Sequence, residues 1–369
     1  MDIFDELGVT RYINAHDTYT VYGASRMSEE TLDTMRLAAR SFVDMAELQR
    51  KLGRAAARLT RNEAAFFTNG AAGALTTAAA VCMARGSAWR FARLPQLAPG
   101  TAPEVIQLHC QHNAYDKAVQ AAGAQVVEIG DADETLPCEL EGALSERTAA
   151  VFYYASSLYA RGSLPLEQVI QIAHSRGVPV VVDAAAQLPP VENLWKFTQM
   201  GADMAIFSGG KTLCGPQDSG LIVGREQYIE DCIRFGAPAH GVCRGCKTSR
   251  EAMAGLYSAL KQYVEMDHTA ALRRLEAMVE RMAGELAACG VSVRVEPRGP
   301  VGQAYPRLFL LLKGAGAARR TAEAMRARRI YVGLDEAQNA VYVSPLNLSG
   351  GEADAVLEAL RQVLAEVEP

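Results

Sequence analysis

Residues 178–211 read VPVVVDAAAQLPPVENLWKFTQMGADMAIFSGGK, and the alternation they contain sets the architecture. An apolar run, Val178–Asp183, ends in a carboxylate. A helical pattern follows over Val191–Met200, then a second apolar run, Met204–Phe207, which hands the chain through Ser208-Gly209-Gly210 to Lys211. Strand, helix, strand at this spacing predicts a βαβ step with two parallel strands ending at one sheet edge. Open α/β sheets bind ligands at that edge. Asp183 and Lys211, 28 residues apart, are therefore expected to meet there. Taken singly, Lys211 reads as a solvated surface charge and Asp183 as a helix cap. Taken together they are an amine that desolvation turns into a nucleophile and an acid that can keep a pyridinium nitrogen protonated. That pair is what pyridoxal phosphate chemistry needs.

A cofactor phosphate also needs a seat. Thr68-Asn69-Gly70-Ala71-Ala72-Gly73 opens an Ala-rich helical segment, Ala71–Ala84, where free backbone N–H groups and the positive end of the helix dipole would face an anion. Gly70, Ala71 and Ala72 are the residues of that turn. By itself the turn is also an ordinary strand-to-helix connection.

Further out, Gln125–Ile129, Ala149–Tyr154 and Leu221–Val223 continue the strand pattern, with a helix over Leu166–Ser175 that stops at Arg176-Gly177. Glu29–Leu59 is helical in pattern. Thr248–Ala288 is too long for one ordinary helix and is expected to break near Asp267-His268. Beyond it, Val291–Val295, Arg307–Leu312, a helix over Ala317–Arg328, Val341–Val343 and a last helix over Gly351–Val367 predict a small α+β domain. The expected division is an N-terminal arm and helix in residues 1–40, a large α/β domain in 41–250, and a linking helix with a small domain in 251–369.

At 369 residues, 49% apolar and 21% charged, the composition excludes a disordered or disulfide-framework protein. The net charge of −5 and the lack of a long single-sign block argue against a nucleic-acid or membrane partner and for a small-molecule substrate. No apolar run reaches the length of a membrane span, and Met1–Thr10 is acidic rather than leader-like, so a cytoplasmic location is expected. Eight cysteines are scattered, expected as reduced thiols; Cys243 and Cys246 form the one CxxC, a redox or metal pair in the alternative. His109 and His112 form an HxxH with no evident third ligand, so no metal is expected.

Several motifs carry a family resemblance. Val181-Val182-Asp183-Ala184-Ala185-Ala186, Gln199-Met200-Gly201-Ala202-Asp203, Ser208-Gly209-Gly210-Lys211 and Gly215-Pro216-Gln217-Asp218-Ser219-Gly220 resemble the fold-type I pyridoxal phosphate enzymes related to bacterial selenocysteine synthase, above all the D-glucosaminate-6-phosphate ammonia lyase branch. Ile13-Asn14-Ala15, Val43-Asp44-Met45 and Leu256-Tyr257-Ser258-Ala259-Leu260 extend the likeness over about two thirds of the chain. The resemblance implies a large, mostly parallel sheet domain with a small C-terminal domain, and a homodimer or larger even-numbered assembly. It implies that Lys211 carries the cofactor covalently, that Asp183 meets the ring nitrogen, and that Ala71, Ala72 and Ser208 lie at the phosphate. His112 or Asn113 falls where the family places a group over the ring. Arg244 and Lys247 lie on a basic segment the family also has, for a substrate or cofactor anion. Arg26 and Arg307 are further carboxylate candidates.

The expected activity is a lyase on an amino acid or amino-sugar acid, by α-proton removal and β-elimination to a 2-oxo acid and ammonia. Racemase, aldolase and transaminase chemistry share the first steps. Selenium transfer on tRNA would need a large basic surface. A dinucleotide-binding reading of Gly314-Ala315-Gly316-Ala317-Ala318-Arg319 with Asp335 is disfavoured by Arg319 at the third glycine position. A catalytically dead scaffold is disfavoured by the retained Lys211 and Asp183.

Overall fold

The computed structural model describes residues 2–97 and 102–367. Two compact units emerge, Met27–Met266 and Met1–Arg26 with Asp267–Pro369. The sequence reading divides the chain at 40 and 250, whereas the units divide at 26 and 266. Side-chain bonding explains the difference. The helix Arg250–Glu265 is tied to the helix Glu29–Ala39, with Arg250 Nε donating to Ala38 O at 2.8 Å and Gln262 Nε2 to Thr31 Oγ1 at 3.0 Å. The long helical segment does break where expected, because Asp267 accepts from Ala270 N and starts a new helix, His268–Ala288. Glu29–Leu59 is likewise two helices, Glu29–Ala39 and Met45–Leu59, since Asp44 caps the second through Glu47 N.

The first strand, β1 (Ile13–Ala15), belongs to the smaller unit. The larger unit carries β2 (Ala64–Thr68), β3 (Glu104–Leu108), β4 (Gln125–Ile129), β5 (Thr148–Tyr154), β6 (Val180–Asp183), β7 (Met204–Ser208) and β8 (Gly220–Gly224). They form one sheet in the order β2-β8-β7-β6-β5-β3-β4, in which only β8 runs antiparallel to its neighbours. β2, β3 and β5 to β8 are largely buried, as strands covered on both faces must be, while the edge strand β4 keeps Gln125 and Glu128 exposed. In β6, Val180 and Val182 enter one apolar layer and Val181 the other. In β7, Ala205 and Phe207 alternate with Met204 and Ile206 in the same way. The helix Gly70–Ala84 lies in the second layer and is buried from Gly73 to Ala84. Alanine suits it because small side chains let backbones approach.

The smaller unit adds β9 (Ser292–Glu296), β10 (Arg307–Leu311), β11 (Ile330–Asp335) and β12 (Ala340–Val343). Its order is β1-β11-β12-β10-β9, with β1 parallel to β11 through Ile13 and Ile330 and the other pairs antiparallel. Helices His268–Ala288, Ala317–Ala327 and Gly350–Val367 supply its core residues, among them Val279, Met325 and Leu360.

Two helical glycines give opposite predictions. A Cβ on Gly53 would stand 2.3 Å from Ala65 O of β2, so Gly53→Ala must push the helix Met45–Leu59 off the sheet. It is expected to lose about 1–3 kcal/mol in urea unfolding. Gly284 lies exposed within the helix His268–Ala288 with nothing near its missing Cβ, and Gly284→Ala is expected to gain about 0.5–1 kcal/mol.

Candidate active site

β6 and β7 pair in parallel with Asp183 opposite Ile206, so the carboxylate at the end of β6 and the Ser208-Gly209-Gly210-Lys211 turn after β7 leave the sheet at one edge. The turn is built by close approach. A Cβ on Gly209 would stand 2.1 Å from Ser219 Oγ, and one on Gly210 would stand 2.5 Å from Gln217 Cα. Gly209 N donates to Ser219 O at 2.8 Å and Cys214 N to Lys211 O at 2.9 Å, which fixes the backbone that carries Lys211.

Asp183 Oδ1 accepts from Ala185 N at 2.9 Å. Burial pushes its carboxyl above the ordinary value, opposed by that backbone bond and by the charge of Lys211. The amine and the acid therefore feel each other electrostatically at the sheet edge.

β2 ends at the same edge, because Thr68 and Ser208 are both opposite Gly220 of β8. A Cβ on Gly220 would lie 2.5 Å from the carbonyl carbon of Gly70, so this glycine lets the start of the helix Gly70–Ala84 sit on the strand. Asn69, at the N-cap, makes no capping bond, and its buried Oδ1 has no hydrogen-bond partner among the described residues. Gly70 and Ala71 are half-buried and Ala72 is exposed. First-turn amides without a side-chain cap, next to open backbone, fit a phosphate. The donor set thus fits pyridoxal phosphate: amides of Gly70, Ala71 and Ala72 with Ser208 for the phosphate, Asp183 for the ring nitrogen and Lys211 for the aldehyde.

His112 and Asn113 follow β3 at the same edge of the sheet. His112 is exposed and bonded to Asp116 and Glu128, while Asn113 Nδ2 donates to Gln111 O at 2.9 Å. Arg244 and Lys247 are exposed, Arg244 lying in the short helical turn Val242–Cys246 that Lys247 ends. This segment reaches the phosphate seat through Asn69 Nδ2, which donates to Gly245 O at 3.3 Å. All eight cysteines are free thiols. Burial pushes Cys243 up to about 12 and raises Cys246 as well, the opposite of what a reactive thiolate pair needs.

The two remaining arginine candidates lie in the smaller unit. Arg26 grips Glu352, at 2.9 Å through Nη1 and 2.7 Å through Nη2, and donates to Asn347 O. The guanidinium holds Glu352 down to about 2. Arg307 donates from Nε to Arg298 O and lies against the rings of Phe309 and Tyr342. The Gly314 turn does lead into the helix Ala317–Ala327, but its strand β10 is antiparallel to both neighbours and Arg319 pairs with Glu336.

The sequence reading misses Tyr154, which stands opposite Asp183 in β5. Its hydroxyl is buried beside Asp116, and burial together with the charges of Asp183 and Asp116 pushes the phenol far above its usual value. Only its position at the end of the run Ala149–Tyr154 pointed to the site.

Residues 41–244 match the aminotransferase class-V family. The chain belongs to that family. The D-glucosaminate-6-phosphate ammonia lyase of Salmonella typhimurium is 31% identical over 287 residues, covering 76% of this chain and 75% of its own. The 5'-C-glycyluridine monooxygenase-decarboxylase of a Streptomyces species is also 31% identical, over 98% of this chain and 92% of its own. A solved structure of a D-glucosaminate-6-phosphate ammonia-lyase superposes with a TM-score of 0.85 at 26% identity over 100% of both chains. This aminotransferase class-V chain is a fold-type I enzyme, and its cofactor is pyridoxal phosphate.

Asp183 gives a prediction with a definite sign. A carboxyl raised above 3.8 by folding destabilises the fold increasingly as pH climbs through and past that value. The cofactor-free Asp183→Asn protein is therefore expected to melt at a higher temperature than the cofactor-free parent at pH 8, with the gap closing toward pH 4. A gap independent of pH would count against the buried charge.

Proposed function

We propose that the enzyme is a lyase that removes the α-proton of an amino acid or amino-sugar acid and expels a β-substituent, giving a 2-oxo acid and ammonia. The whole-chain superposition on an ammonia-lyase is the observation that carries this reading. Pyridoxal phosphate supplies an aldehyde that condenses with amines and a ring that withdraws electrons. Lys211 is the amine that anchors that aldehyde. Its Nζ, once free, would be the base for the α-proton. Asp183 keeps the proton on the ring nitrogen, which its recessed position beside Lys211 favours. The Gly70–Ala72 amides and Ser208 hold the phosphate, and the basic segment with Arg244 and Lys247 offers an anion on the substrate a counter-charge. His112 or Asn113 covers the ring face. Arg26, which holds Glu352, and Arg307, which donates to Arg298 O, are the further candidates for a substrate carboxylate.

A homodimer in the cytoplasm is the expected setting. Phe42, fully exposed, with Leu37 and Val43 nearby, supports burial against a second copy. No helix among the described residues is long and apolar enough to cross a membrane.

A second reading, oxygen-dependent decarboxylation, draws support from the relative that matches 98% of the chain. One experiment separates the readings. Purified enzyme is incubated with D- and L-amino acids and phosphorylated amino-sugar acids, following ammonia, 2-oxo acid, carbon dioxide and oxygen. The lyase releases ammonia and a 2-oxo acid in equal amounts with or without oxygen. Carbon dioxide release that stops without oxygen overturns it in favour of the second reading, and α-hydrogen exchange without ammonia overturns it in favour of racemase or transaminase chemistry. Lys211→Ala is expected to lower turnover by at least about 10²–10⁴-fold.

A further inference from the structure

The sequence gives His109 and His112 no further ligand, and the fold supplies two. His112 ends the short turn after β3, and its Nδ1 lies 2.7 Å from Asp116 Oδ2 and 2.9 Å from Glu128 Oε1. Glu128 projects from β4, which pairs in parallel with β3 and sets Glu128 opposite Gln107. Its other oxygen, Oε2, lies 2.9 Å from His109 Nδ1. One ligand atom from each of His112, Asp116 and Glu128 falls within a span of 4.8 Å. One imidazole and two carboxylates, drawn from a turn, a helix and a strand, thus converge on one spot, and His109 reaches the other oxygen of Glu128.

A proton on His112 shared between two carboxylates explains part of this arrangement. It leaves two acidic side chains on a single donor atom. Asp116 is only 2% exposed, its Oδ2 also accepts from Asn113 N at 3.1 Å, and it lies within reach of the Tyr154 hydroxyl. A divalent cation offsets the cost of holding two carboxyl groups this close when one of them has little water around it. Size is compatible as well. Metal–ligand bonds of about 2.0–2.2 Å in a tetrahedral site place ligand atoms roughly 3.3 Å apart, so the 2.7 and 2.9 Å separations need to open by only a few tenths of an ångström. Mixed imidazole and carboxylate donors favour first-row transition ions over magnesium or calcium, which prefer oxygen alone.

We propose that His112, Asp116 and Glu128, with His109 beside them, form a binding site for a divalent transition-metal ion of the zinc class. The ion takes the place of the proton on His112 Nδ1 and leaves Nε2 and the ring faces unused. It ties the turn after β3 to the start of the helix Asp116–Ala121 and to β4. Exposed Glu128 and His112 leave the ion open to water or to a substrate oxygen.

The test uses chelator-treated, desalted holoenzyme. Calorimetric titration with zinc chloride is expected to give one equivalent per chain, with affinity at least about tenfold weaker in Glu128→Gln and in Asp116→Asn. Cobalt(II) binding to the parent is expected to give ligand-field bands without a thiolate charge-transfer band, a readout that needs no variant to fold. The proposal is overturned if the parent binds no zinc, if both folded variants bind it as the parent does, or if the cobalt spectrum shows thiolate ligation and so places the ion on the cysteines.

Discussion

A half-buried carboxylate at the end of β6 is the constraint on which the rest of the active site depends. Folding raises the proton affinity of Asp183, and only the Ala185 amide and the charge of Lys211 work against that rise. Such a group is poorly placed as structure alone, since an apolar or amide side chain would serve the fold better. It is well placed to share a proton with a ring nitrogen. The parallel pairing of β6 and β7 makes the sharing geometrically possible, because it brings the acid and the lysine turn out of the sheet together. The antiparallel β8 completes the edge by linking Ser208 to Thr68 through Gly220.

Much of this edge was legible in the amino-acid order. Val180–Asp183 and Met204–Ser208 are continuous apolar runs bounded by small residues, and a strand buried on both faces has no other appearance. The glycines after Ser208 marked a close approach whose partner, the loop 216–219, only the structure identifies. Other elements left weaker traces. β1 has three residues, too few for periodicity, and finds its place only through β11, over 300 residues away in sequence. β3 includes Gln107, wholly buried yet polar, and β11 is interrupted by Gly333, so neither reads as an apolar run. The helix Glu226–Phe235 also escaped notice, opening with three polar or aromatic residues and carrying charge along one face.

The candidate site was legible to different degrees for a physical reason. Residues whose role follows from the strand they end, such as Asp183, Lys211 and Gly70, could be placed by topology alone. Residues whose role depends on a partner distant in sequence could not. Arg26 looks like any arginine until Glu352, 326 residues on, closes its fork. Glu128 reads as a surface charge of β4 until the parallel register with β3 sets it against His109 and His112. Tyr154 reads as a strand end until Asp183 appears opposite it.

Reduction of the holoenzyme with borohydride, followed by proteolysis and peptide mass spectrometry, tests the central claim most directly. If the amine beside the β6 acid holds the cofactor, the reduced pyridoxyl phosphate mass is found on the peptide that contains Lys211 and on no other lysine. Label on a different lysine, or a fully loaded enzyme that yields no labelled peptide, would contradict the account.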